Sequence, residues 1–236
     1  MILSDAAADL ARLLERDLSE IFGNRLRSLS VYRPATDAPD TAVHTMATVD
    51  SLGADDLRAC ADRIGRWGDA GLATPLIVPI AELSRSLDAF PLEFAAIRAE
   101  HILVSGADPF AAVHVDDGDF RRACEVQARS HLLHLREGFI ETEGRGDRVA
   151  DLVTDSAQPL AGLVKSVARL LGSTERTVEG AARDVEQAAA LRAGSLTTVV
   201  TANRATLTAD TARRRFAEYL DAIEQLTRFI DGWSRR

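Results

Sequence analysis

Two cysteines, Cys60 and Cys124, occur in 236 residues, too few for a disulfide framework and without the paired spacing of a zinc site. Both stand in helix-like stretches next to Ala and Arg, and the expectation is two buried free thiols in a reducing compartment. Aromatic residues are only 5% of the chain, so its core must be built mostly from Leu, Val, Ile and Ala. No stretch reaches the roughly 18 apolar residues of a membrane span. The opening segment carries acids where a secretory leader would carry bases. A net charge of −8 repels phosphate backbones and argues against nucleic acid as a partner. Together these absences predict a soluble, cytoplasmic protein with no membrane partner. With 46% hydrophobic residues, that protein has enough apolar surface to fold around a substantial core.

What is present reads in two parts. Leu10, Leu13, Leu14, Leu18 and Ile21 recur at helical spacing over residues 5–22, with Ser4 or Asp5 as the cap and Gly23 as the stop. Residues 26–32 alternate like a strand. Pro34 and Pro39 break residues 33–40 into a loop, and the β-branched stretch 41–52 predicts a second strand. Residues 55–67 read as one helix closed by Gly68 and Gly71. A short buried strand follows over 75–80, then a helical turn over 82–87. Pro91 suits the first position of a helix over 92–100, and residues 101–105 form a last strand ending at Gly106. After Asp116 the pattern becomes helical: 120–142, then 148–171 with Pro159 as a kink, then 175–191 and 208–233. In the last of these, Phe216, Leu220, Ile223, Leu226, Phe229 and Ile230 share a stripe. Residues 197–201 are β-branched and stay open between strand and helix. The expectation is an α+β protein, with a small mixed-sheet domain over 1–114 and an antiparallel helical bundle over 115–236.

The stretch from Asp88 to Phe94, DAFPLEF, followed from His101 to Phe110 by HILVSGADPF, resembles a signature of a bacterial nucleotidyltransferase-like group within the DNA polymerase β superfamily. That superfamily includes the aminoglycoside nucleotidyltransferases. The entry into the first strand at Gly23 to Leu29 and the closing helix at Phe216 to Leu226 are similar as well. The resemblance implies a nucleotide cleft in which carboxylates from neighbouring strands hold two divalent cations. It also implies a Gly-Ser pair after the first strand, where the small glycine lets the backbone approach phosphates.

The sequence departs from that pattern at each point. Arg33 and Pro34 stand where the Gly-Ser pair would follow Tyr32, and proline has no backbone donor to offer a phosphate. Ala42 and His44 stand where the second strand would carry alternate acids on one face. Residues 76–80 supply no carboxylate, and Asp37 and Asp40 belong to the loop. The expectation is no catalytic residue, no metal site and no cofactor. Two readings compete: a pseudoenzyme that keeps the fold to bind a nucleotide or a protein partner, which is the expectation, and a rearranged active site. Arg33 reads either as an anion-attracting cation or as a solvated loop residue. The enzymatic alternative is transfer of a nucleoside monophosphate from a nucleoside triphosphate to a small-molecule hydroxyl, as in an aminoglycoside, with magnesium as its cofactor. A third reading is a structural homo-oligomer formed through the helical half.

Other residues compete for a site. Asp88 and Glu93 read first as a cap and a first-turn acid of the helix that Pro91 begins, and second as a catalytic pair. Arg129 and His134 fit an Arg-x4-His spacing similar to that of HEPN-type ribonucleases, which would place phosphate binding and acid–base chemistry on one helix. His131 and His134, one turn apart, could share a metal but have no third ligand at evident spacing. Arg121, Arg122 and Arg213 to Arg215 read as solvated faces, with Glu218 and Asp221 as partners for the second cluster.

Overall fold

A computed structural model describes residues 3–33, 42–111, 113 and 115–234. Its first helix, α1 (Asp5–Phe22), begins where the Ser4 hydroxyl accepts the amide of Ala7 and ends at Gly23 with φ +54°. A short 3-10 turn, Gly23–Arg25, leads into β1 (Leu26–Tyr32). The chain continues through β2 (His44–Val49), α2 (Ala54–Ala61), α3 (Ile64–Ala70), β3 (Leu76–Pro79), α4 (Ile80–Ala89), α5 (Pro91–Ala99) and β4 (His101–Gly106). The sheet order is β3-β2-β1-β4. β1 runs antiparallel to both β2 and β4, while β2 and β3 are parallel.

Alternation along the strands divides the sheet's side chains between two cores. On one face Leu29, Ala47 and Val49 meet Leu14, Leu18 and Phe22 of α1 together with Trp67 and Leu72. On the other, Met46 and Val78 meet Leu83, Leu87, Phe94, Ile97 and Phe110. Each of the Val, Leu, Ile, Phe and Met side chains among them contributes roughly 1.5–3 kcal/mol by leaving water. Polar ties orient the helices. The buried indole of Trp67 donates to Asp17 Oδ2 at 2.8 Å. Arg25 donates twice to the Asp56 carboxylate, at 2.9 and 2.7 Å, and together with the Gly53 amide this holds the Asp56 carboxyl down at about 2.

The second half comprises α6 (Asp117–Glu141), α7 (Gly146–Asp155), α8 (Ala157–Leu170), α9 (Val178–Ala188), α10 (Thr197–Val200) and α11 (Ala209–Asp231). The contacts divide the chain into two compact units, the first closing at Asp116 and the second opening at Asp117. Within the second unit α6 and α11 are antiparallel. Arg121 near the start of α6 reaches the carbonyl of Ile230 at 3.3 Å, while Phe139 near its end stacks on Phe216 at 4.5 Å.

The structure corrects several boundaries. The single helix expected over 55–67 is two, because the chain turns at Asp62 and Arg63, whose amides return to the carbonyls of Arg58 and Cys60. Gly68 lies inside α3, and Gly71, at φ +101°, is its stop. The helix expected over 148–171 is also two. The break is at Ser156, whose hydroxyl bonds back to the carbonyl of Leu152 at 2.6 Å, a local bond that competes with helix continuation. Pro159 is therefore no kink. It sits in the first turn of α8, where an amide has no helical partner to lose. Four expected helices become five long ones and the short α10 among the described residues.

The open question over 197–201 resolves as helix, and the cause is tertiary. The buried carboxylate of Glu186 accepts the amides of Gly194, Leu196 and Thr197, at 2.9, 2.7 and 2.7 Å, and the Thr197 hydroxyl at 3.1 Å. Donors gathered on one carboxylate impose a turn on residues that would otherwise favour a strand.

Candidate functional site

Tyr32 closes β1. It pairs with His44 across the β1–β2 ladder and with His101 across the β1–β4 ladder. Directly opposed residues share a face, so register alone places His44, Tyr32 and His101 in one row across the end of the sheet. The Tyr32 and His44 rings are 5.8 Å apart between centroids and tilted by 51°. Tyr32 packs partly against the Met46 core, and its burial pushes the phenol's pKa up, which keeps it protonated at neutral pH.

His101 is held on three sides. Its Nδ1 lies 3.0 Å from the carbonyl of Arg98, its Nε2 lies 3.3 Å from Asp108 Oδ1, and its ring meets Phe110 edge-on at 5.2 Å. Asp108 is fixed in turn by the Phe110 amide at 2.8 Å. Arg33 follows Tyr32. Its amide donates to the carbonyl of Glu100 at 3.2 Å, and its guanidinium, largely exposed, stands 3.8 Å from the Glu100 carboxylate. Beneath the row, on the same face, Ser28 and Thr48 share a buried hydrogen bond of 2.6 Å. The buried Ser30 hydroxyl has no partner among the described residues.

Of the residues singled out from sequence, His44 joins the row, while Arg33 follows Tyr32 on the chain and turns its guanidinium to the Glu100 carboxylate. Ala42 lies outside β2, in a bend before the single bridge of Val43 to Leu72. Pro34, with Asp37 and Asp40, lies outside the described residues. No group of three or more His, Cys, Asp or Glu side chains among the described residues could hold a metal ion. Spacing along the chain does not reveal that Tyr32 and His101 share a row with His44, because only strand register aligns the three.

The other candidates separate. Asp88 is an exposed residue inside α4, not the cap of α5; that cap position is Phe90, which offers no side-chain acceptor. Glu93 stays in the first turn of α5. Arg129 bonds Glu125 at 2.8 Å, whereas exposed His134 meets Glu137 at 3.3 Å. Five residues along a helix separate two side chains by about 140°, so this pair does not converge on one phosphate. His131 is buried and hydrogen-bonded to the Tyr219 hydroxyl, so it shares no metal with His134. Burial drives its pKa down to about 4, with help from His134, and pushes that of Tyr219 up. Glu218 and Asp221 do not serve the Arg213 cluster. Glu218 pairs with Arg192, and Asp221 accepts from Gln225. Cys60 and Cys124 are free and buried, and burial pushes the Cys124 thiol up to about 12.

No family model matches the chain, and no curated protein matches it by sequence. Among solved structures, it is similar to a spectinomycin adenyltransferase from Enterococcus faecialis crystallised with ATP and spectinomycin. The TM-score is 0.53 and the identity 9%, over 92% of this chain and 98% of that one. At such identity the likeness is one of fold, and the chain therefore has an α+β nucleotidyltransferase-like architecture with a helical second half.

Proposed function

We propose that this protein is a catalytically inactive member of the nucleotidyltransferase fold that binds a nucleotide or a protein partner. The observation that supports this reading is the row His44–Tyr32–His101 across the sheet end. Phosphoryl chemistry on this fold needs hard oxygen ligands for divalent cations, and the row presents two imidazoles and a protonated phenol, with the Asp108 carboxylate engaged by His101 and the Phe110 amide. Arg33, the residue after Tyr32, can pair phosphate oxygens directly and so serve a nucleotide without a metal.

The second reading, nucleotidyl transfer to a small-molecule hydroxyl, draws on the fold shared with the spectinomycin adenyltransferase and requires magnesium. Calorimetric titration with ATP and GTP, with and without magnesium, separates the two. Binding indifferent to the metal supports a nucleotide-binding protein, and no binding by either nucleotide leaves a protein partner. Binding that appears only with magnesium, followed by release of pyrophosphate on adding an acceptor alcohol, would overturn the inactive reading.

A further inference from the structure

We infer that the outer face of α6 is the seam of a homodimer, in which two copies of this chain lay their α6 helices parallel about a two-fold axis. The sheet end plays no part in this, so the inference stands apart from the nucleotide reading.

α6 carries apolar residues on two opposite faces. One face enters the helical core through Phe120, Cys124, Ala128, His131 and Leu135, all buried. The other bears Val126, Leu133 and Ile140, which are 63%, 55% and 76% exposed. At 3.6 residues per turn these three lie within about 20° of one line, about half a turn round the helix from the buried row. Their seven-residue spacing keeps them on one side of the helix over about four turns. Three large aliphatic side chains in line over about 21 Å of helix form an apolar strip that the helix's own packing leaves in water.

The charges bordering the strip select the occupant. Arg122, Arg129 and Arg136 repeat every seven residues along one border, and Asp119, Glu137 and Glu141 stand along the other. A parallel copy brings the basic border of one helix against the acidic border of the other. Arg136 then faces Glu137 of the second copy, and Arg122 faces Asp119. An antiparallel copy would set like borders together, with Arg129 near Arg136 of the second copy, and like charges oppose that pairing. The strip is thus self-complementary under one particular two-fold, which is the requirement of an isologous interface. The intrachain partners, Asp119 for Arg122, Glu125 for Arg129 and Glu224 for Arg136, do not exhaust these arginines. Arg136 reaches Glu224 at 2.8 Å through Nη2, and a guanidinium has further N–H groups to give.

Sedimentation velocity on the full chain tests this. A dimer is expected to be populated at about 100 µM, since a strip of three aliphatic side chains is small beside standard interfaces. Leu133→Glu should leave a monomer whose melting temperature matches that of the wild-type chain diluted to its monomer, since that side chain faces water in the single chain. Glu137→Arg should weaken the dimer by about tenfold or more by setting Arg against Arg136, and adding Arg136→Glu should restore it. A wild-type chain that stays monomeric at about 100 µM, a dimer indifferent to Leu133→Glu, or a double exchange that fails to restore association would each overturn the inference.

Discussion

Tyr32 and His44 face each other across β1 and β2 with their rings 5.8 Å apart, and the residue after Tyr32 is the exposed arginine Arg33. The Arg33 guanidinium at this sheet end can meet a phosphate without a metal ion. Arg33→Ala is expected to weaken ATP binding about tenfold, the loss of roughly one charge-assisted hydrogen bond, and His44→Ala by a smaller factor. Neither change should move the melting temperature. Calorimetry reads the affinity, and an unchanged affinity in Arg33→Ala would remove Arg33 from the site.

His131 sets a pH dependence for the helical unit. The unfolded chain takes up this proton at an ordinary value of 6.5 and the folded chain at about 4. Between those values the unfolded state binds more protons, so stability is highest above 6.5 and falls as the pH falls. At about 1.4 kcal/mol per unit the loss approaches about 3 kcal/mol near pH 4. Urea unfolding at steps from pH 7 to pH 4 should show this slope, and His131→Gln should flatten it.

Gly106 is required where β4 lies against β1. Its φ is +81°, and a Cβ there would stand 1.9 Å from the Arg27 carbonyl oxygen and 2.7 Å from Ser28 Cα. The contact is with backbone, which cannot rotate away. Gly106→Ala should cost about 2 kcal/mol or more and lower the midpoint of chemical unfolding.

Glu186 holds the turn before α10 through four donors. Glu186→Ala leaves several partly buried amides without an acceptor, at a cost of about 3 kcal/mol or more. Hydrogen exchange should show the amides of Leu196 and Thr197 exchanging much faster in that variant. Unchanged protection would mean that the turn forms without the carboxylate.

The site was half legible. Arg33 and His44 could be picked out by position relative to a strand, since each stands where the resemblance calls for another residue type. Tyr32 and His101 could not. They join His44 only through the pairing of β1 with both β2 and β4, and a shift of one residue in either register would send a side chain to the opposite face.

The sequence by itself determined the elements whose signals are local. The serine cap and glycine stop of α1, the alternation in β1 and the Pro91 start of α5 each depend on side chains within a few residues. Only the tertiary structure decided where long helical stretches break and where β-branched residues turn helical. Ser156 ends α7 at a position that neither propensity nor Pro159 marks, and α10 forms on the carboxylate of Glu186, which lies ten residues before Leu196. Such choices rest on hydrogen-bond partners brought together by packing, and spacing along the chain does not carry that information.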